Sequence, residues 1–203
     1  YNNANDMIYD KDINIFKNID TEEKAYWLGM LMADGSVIVS RSRKKVYGIK
    51  FGVCDLDVME KFRAFLGLDE KTKFWILNQK NCQPVYYLTV TCHKIAEDLS
   101  KYGMIPNKTH RTEISNIPEN LIRHFVRGYF DGDGCIYMKD SIYKSGKPYK
   151  KCMACITSCS DKILKQIETI LKNKSLIRKN KTFVKYPKMY KNKQCPPHLT
   201  FTH

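Results

Sequence analysis

Residues 27–35 read Trp-Leu-Gly-Met-Leu-Met-Ala-Asp-Gly, and residues 126–134 read Val-Arg-Gly-Tyr-Phe-Asp-Gly-Asp-Gly. Each stretch is an apolar helical run with a glycine inside it, ending in a carboxylate and a glycine. Asp34 and Asp133 stand 99 positions apart. Two such runs at domain-sized spacing imply two similar halves, each delivering an Asp from the end of a helix.

The repetition extends outward from these runs. Residues 51–66 (FGVCDLDVMEKFRAFL) align without a gap on residues 156–171 (ITSCSDKILKQIETIL), now at an offset of 105. Cys54 falls on Cys159, Val58 on Ile163, Met59 on Leu164, Phe62 on Ile167, Phe65 on Ile170 and Leu66 on Leu171. This is a strand followed by a helix whose apolar positions recur at helical spacing. Leu88-Thr-Val-Thr likewise matches Leu199-Thr-Phe-Thr. In the first half a helical segment, HKIAEDLSKYG, follows at once, whereas the second half stops at His203 without one.

Between these anchors the chain reads as a polar arm over 1–19, then two repeats. Asp20 with Glu23 makes a capping-box-like start to the first motif helix, and Gly35 is expected to stop it. Residues 36–54 form a hairpin with a basic middle, 57–67 a helix, 73–91 a second hairpin turning near Asn81 to Pro84, and 93–103 a helix. A connector, GMIPNKTHRTEIS, leads to Pro118, placed to open the second motif helix. The predicted fold is α+β: a pseudo-twofold duplication of two αββαββα halves with antiparallel sheets, 20–115 and 116–203, the second lacking its final helix.

At 203 residues the chain buries a substantial core. No apolar run reaches membrane-spanning length, and no signal-peptide pattern begins at Tyr1. Eight cysteines show no disulfide framework. The spacing of Cys152, Cys155 and Cys159 admits a metal cluster, but ACITSC reads as a buried strand without a second ligand pair, so structural thiols in a reducing intracellular compartment are the expectation. The net charge of +14 is unevenly placed: residues 1–138 hold 19 Lys/Arg against 18 Asp/Glu, a net of +1, and residues 139–203 hold 16 against 3, a net of +13. These lysines interleave with Tyr143, Tyr149, Tyr186 and Tyr190, a field that suits a polyanion such as nucleic acid.

Ala25, Gly29 and Ala33 share one face of the first motif helix, and Gly128 and Gly132 share one face of the second. Columns of small residues let two helix backbones approach closely. Packed so, the helices bring Asp34 and Asp133 to one place. Two adjacent carboxylates are costly unless a cation sits between them, and hard divalent ions take oxygen ligands. Beside a phosphodiester such an ion activates water and neutralises the leaving oxygen. The plainer reading of each Asp-Gly alone is a turn from helix to strand.

With Gly29, Asp34, Gly35 and Gly128, Asp133, Gly134 in register, and with IPNKT at 105–109, the chain resembles the LAGLIDADG homing endonucleases of the single-chain, two-motif type, in the intron and intein subgroup. The resemblance spans 20 to 203; Met32 stands where an acid is common in the motif. It implies motif helices packed at the centre of a DNA-binding saddle of two four-stranded sheets, which follow the major groove while the helix ends face the minor groove. It implies site-specific double-strand cleavage with short 3′ overhangs, by a monomer, on a long asymmetric duplex, with Mg²⁺ or another divalent ion such as Mn²⁺ or Ca²⁺. The implied metal positions are Asp34 and Asp133 with Ala33 and Gly132. Lys108 is the implied catalytic basic residue near the metal, its counterpart falling beyond His203, and Asp55 and Ser160 match water-orienting positions.

The same resemblance places DNA contacts on the hairpins: Arg41, Arg43, Lys45, Lys50, Lys73, Trp75, Asn78 and Gln79 in one half, and Lys139, Lys144, Lys147, Lys151, Lys181 and Lys185 in the other. Lysines there suit phosphates, and Arg, Asn and Gln suit base edges. Two other readings stand beside cleavage. One is a DNA- or RNA-binding protein on the same scaffold, a maturase or regulator. The other is a nuclease domain excised from an intein, although neither end carries a splicing-type Cys or His-Asn pair.

Overall fold

In the computed structural model the described residues are 12–40, 46–174, 183–185 and 197–201. The first motif forms helix α1, Glu22–Asp34, and the second forms helix α4, Ile122–Asp133. Between them run strands β1 (Gly35–Val39) and β2 (Val46–Val53), helix α2 (Leu56–Phe65), strands β3 (Trp75–Leu77) and β4 (Val85–Val90), and helix α3 (His93–Ser100). After α4 come strands β5 (Gly134–Ile142) and β6 (Pro148–Thr157), helix α5 (Asp161–Asn173), and strands β7 (Phe183–Lys185) and β8 (His198–Phe201). The order is the predicted α+β duplication. Among the described residues the second half ends at β8, with no counterpart of α3.

Both sheets are antiparallel and four-stranded, in the orders β1-β2-β4-β3 and β5-β6-β8-β7. Their registers repeat each other. Gly35 pairs with Phe51 and Phe51 with Leu88; in the second sheet Gly134 pairs with Ile156 and Ile156 with Leu199. Phe51 and Ile156 are both fully buried, so the two offsets in the sequence repeat converge on one tertiary position.

Period-two alternation then sorts each sheet into an inner and an outer face. Ile49, Phe51, Leu88 and Val90 face α2 and α3 and are buried. Lys50, Tyr87 and Thr89 stand on the opposite face. In the second sheet the inner face is covered only in part. Ile136, Met138 and Ile142 share the parity of Gly134 yet are 67%, 58% and 73% exposed. In the first half α3 packs on β2 through its buried Ile95, Ala96 and Leu99.

Aromatic packing anchors the first half. Trp27 on α1 lies 5.1 Å from the Phe62 ring, and Phe62 meets Phe51 edge-on at 4.7 Å. The arm is not featureless where it is described: Phe16 is fully buried, with Ile15 and Ile19 beside it, and its ring meets Phe65 at 5.7 Å. Apolar residues at 13, 15, 16 and 19 in a polar stretch carry too little periodicity to be read as core from sequence.

Two local expectations are corrected. The cap of α1 is Thr21, whose hydroxyl accepts the Lys24 amide at 3.2 Å, and Asp20 instead takes the Lys24 ammonium at 2.8 Å. That one-residue shift puts Lys24, not Glu23, at the reciprocal position of the box. Helix α4 opens at Ile122, not at Pro118, whose carbonyl accepts the Leu121 amide at 2.9 Å in a preceding turn. Gly35 stops α1 as expected, and Gly134 stops α4 in the same way: φ is −85° and −98°, and the strand starts at once. Their glycines are required by space, because a β-carbon would lie 2.5 Å from the Leu31 carbonyl and 2.3 Å from the Phe130 carbonyl.

Candidate active site

α1 and α4 pack through the small-residue faces. A β-carbon on Gly29 would lie 2.2 Å from the Phe125 carbonyl oxygen, and one on Gly128 would lie 2.0 Å from that of Tyr26. Backbone touches backbone at both positions, which only glycine permits. Across the seam the Tyr26 hydroxyl donates to Asp131 at 3.0 Å, and Arg127 lies over the Tyr26 ring, 4.7 Å from its centroid. Burial first, then Asp131, pushes the Tyr26 hydroxyl up to about 12.

Close packing of two helices that end at matched residues brings Asp34 and Asp133 side by side. Asp34 is exposed at the helix end, yet its carboxyl is partly desolvated. Desolvation, then the Asp133 charge, pushes it up to about 6 against the opposing pull of Lys108. Asp133 is also raised, chiefly by burial, while a hydrogen bond from Tyr129 and the Lys108 charge draw it back. Gly132 borders this pair: a β-carbon there would meet Ala33 Cβ at 2.5 Å and Asp34 Oδ2 at 3.0 Å.

Lys108 reaches the same spot from the connector. It sits in a single 3-10 turn, Lys108–His110, entered through Asn107 in the left-handed region at φ 54°. Its ammonium donates to the carbonyls of Met32 at 2.5 Å and Ala33 at 3.2 Å, at the negative end of the α1 dipole. Burial lowers its pKa and the two carboxylates hold it up. The Ala33 carbonyl is thus engaged by Lys108. A cleft of about 240 Å³ opens here, lined by Lys108, Thr112, Tyr129, Asp133, Ser158 and Cys159 among others.

Sequence reasoning passed over Tyr129 and Ser158. Tyr129 precedes Asp133 by four residues on α4, and that spacing was the available signal. Ser160, a strand-end position, turns inward: buried, its hydroxyl donates to the Thr112 carbonyl at 2.6 Å. Its counterpart Asp55 is exposed and caps α2 without a side-chain bond. Cys152, Cys155 and Cys159 form no metal cluster among the described residues.

The hairpin candidates fall unevenly. Lys50 lies on the outer face of the first sheet with its ammonium 3.8 Å from the Tyr87 ring centroid, and Trp75, 78% exposed, lines the same hollow. Lys73, Asn78 and Gln79 are exposed on either side of β3. On the second sheet Lys139 and Lys151 pair directly across β5 and β6, on the face opposite Lys150. Lys144 and Lys147 are exposed in the turn, where Tyr143 stacks on Tyr149 at 4.1 Å. Arg41, Arg43, Lys45 and Lys181 lie outside the described residues, and Lys185 is described only as backbone of β7.

No family model matches the chain. Over 134 residues it is 31% identical to a DNA polymerase of Acanthamoeba polyphaga mimivirus, a match covering 60% of this chain and 7% of the polymerase. Solved structures resemble it along most of its length. The I-SmaMI LAGLIDADG homing endonuclease bound to cleaved DNA aligns over 88% of this chain and 76% of its own, with a TM-score of 0.53 at 14% identity. A K262A mutant of I-SmaMI aligns over 88% and 79%, with a TM-score of 0.54 at 15% identity. I-SmaMI bound to uncleaved DNA in the presence of calcium ions aligns over 88% and 79%, with a TM-score of 0.50 at 15% identity. The fold is that of the LAGLIDADG homing endonucleases.

Proposed function

We propose that this chain belongs to the LAGLIDADG homing endonucleases and hydrolyses both strands of duplex DNA at a long, asymmetric site, as a monomer. The observation that carries the reading is the meeting of Asp34, Asp133 and Lys108 at the end of a helix pair made from two copies of one motif. A single chain supplies both copies, so one molecule completes the site. The outer sheet faces, with Lys50 and Trp75 on one and Lys139 and Lys151 on the other, serve the duplex on each side of it.

The residues fit a divalent cation. Two carboxylates whose pKa values are both raised by burial, Asp34 further by the Asp133 charge, are an incompletely compensated pair of hard oxygen donors, and Gly132 lies against them. Bound there, Mg²⁺ or a similar ion would supply charge neutralisation at the scissile phosphate and a more acidic water. The chain's own part is to hold the two carboxylates at matched helix ends and to place the Lys108 ammonium beside the phosphate's negative charge. Closely packed helices fix that geometry in advance. The seven described cysteines are free, which suits a reducing intracellular compartment, and no described helix is long and apolar enough to cross a membrane.

The test is incubation with a randomised duplex library in Mg²⁺, followed by sequencing of cut ends. Recovery of one long motif cut on both strands supports the reading. Binding without cutting, at any divalent ion supplied, supports a silent binding protein on the same scaffold.

A second observation favours one context. A match confined to 7% of a DNA polymerase is expected where an endonuclease domain is embedded in a polymerase chain. We propose the intein-type setting for this domain. Sequencing the gene on either side of it decides the point, since polymerase sequence should flank splicing-type residues there.

A further inference from the structure

The two halves repeat in backbone but not in the surroundings of their carboxylates. Tyr129 is 1% exposed, and its hydroxyl oxygen lies 3.0 Å from Ser158 Oγ. Ser158 Oγ also accepts the Ser160 amide at 3.2 Å. Tyr129 stands one helical turn before Asp133 and lines the same cleft, and its hydroxyl draws the Asp133 pKa down. A hydroxyl has one proton to give. The consistent direction runs from the Ser160 N–H to Ser158, from the Ser158 O–H to Tyr129, and from the Tyr129 O–H to Asp133.

In the first half the 99-residue offset puts Met30 at the place of Tyr129, and the 105-residue offset puts Val53 at the place of Ser158. Neither side chain has a hydrogen to donate. The polar chain therefore serves one carboxylate of the pair. Ser160 is itself pinned to the Thr112 carbonyl, so the chain is anchored at its far end on the connector that also carries Lys108.

We infer that Tyr129, held by Ser158, is a positioning residue for Asp133 with no counterpart at Asp34, so that the two strands are cut at unequal rates and only one of them depends on Tyr129. The inference rests on the endonuclease reading and deepens it. Tyr129 touches no reacting atom. It restrains the Asp133 carboxylate, and Asp34 lacks that constraint.

The experiment is strand-resolved cleavage of an end-labelled cognate duplex in Mg²⁺ by the wild type, Tyr129→Phe and Ser158→Ala, with Mn²⁺ binding to each protein followed by electron paramagnetic resonance. The wild type should nick one strand ahead of the other. Tyr129→Phe should slow one strand about tenfold or more relative to the other, the factor carried by a single hydrogen bond to a charged group, and supercoiled plasmid should accumulate as nicked circle. Ser158→Ala should shift the strand ratio in the same direction by less, and Mn²⁺ affinity should fall in Tyr129→Phe. Equal slowing of both strands, or an unchanged strand ratio with unchanged Mn²⁺ affinity, overturns the inference. If the wild type cuts neither strand the endonuclease reading fails, and the Mn²⁺ titration still decides whether Tyr129 sets the Asp133 carboxylate.

Discussion

Gly132 leaves the space in which the Asp34 carboxylate stands, since a β-carbon on it would lie 3.0 Å from Asp34 Oδ2. The helix that carries one acid therefore shapes the pocket of the other. Gly132→Ala should displace the Asp34 side chain and press on Ala33 Cβ, which would be 2.5 Å away. We expect cleavage to fall at least tenfold, while DNA affinity measured in Ca²⁺ changes by less than about threefold. A melting temperature close to wild type together with full cleavage would contradict this arrangement.

Asp34→Asn and Asp133→Asn should each abolish double-strand cleavage while keeping DNA binding, because each removes one anionic oxygen donor without changing the shape of the helix end. Retained double-strand cutting in Mg²⁺ by either variant would remove the two-acid mechanism.

The same pair predicts a pH effect without metal. Asp34 is pushed up to about 6 from a reference of 3.8. A carboxyl with a higher pKa in the folded chain binds its proton more tightly there, so stability falls as pH rises through that interval and stays lowered above it. Asp34→Asn should therefore melt higher than wild type in chelator at pH 7.5, and the difference should close below pH 4. Adding Mg²⁺ should raise the wild-type melting temperature and leave Asp34→Asn nearly unmoved. Equal melting of the two proteins in chelator at pH 7.5 would show that neither burial nor the Asp133 charge makes the ionised Asp34 costly.

Gly128→Leu should destabilise the whole molecule by about 3 kcal/mol or more, since a β-carbon at 2.0 Å from the Tyr26 carbonyl meets backbone that cannot turn aside. For a chain of this size that lowers the melting temperature by roughly 6–12 °C. Gly29→Leu should behave alike. A melt within a degree or two of wild type would exclude packing through this seam.

Lys139 and Lys151, opposite one another on the outer face of the second sheet, repel until a polyanion lies over them. Replacing both with Gln should flatten the dependence of log affinity on log salt by roughly two, about 0.9 for each phosphate no longer neutralised. Lys150→Gln, on the other face, should leave the slope alone. The turn lysines Lys144 and Lys147 should add to the slope if the duplex extends past Tyr143. A salt titration on cognate and scrambled duplexes measures all three. An unchanged slope in the double variant would assign this charge to solvated surface.

The repeat of two motifs, the alternation of the hairpins and the apolar spacing of α2 and α5 settled the fold from sequence alone, because each is a local period that one face of an element must obey. The meeting of Asp34 with Asp133 was legible for the same reason: small residues at spacing four leave two helices a single close way to pack. Composition also separated the basic second half from the neutral first. What tertiary structure decided is what depends on residues distant in the chain meeting by register. Only the pairing of β5 with β6 puts Lys139 beside Lys151 and Lys150 behind them. Only the fold of the connector brings Lys108 onto the Met32 and Ala33 carbonyls and turns Ser160 inward. The Tyr129–Ser158 chain on Asp133 has no sequence period at all, since it joins a helix to the end of a strand across 29 residues. A hydrogen bond fixes direction and distance between particular atoms, and a sequence pattern records only which face those atoms share.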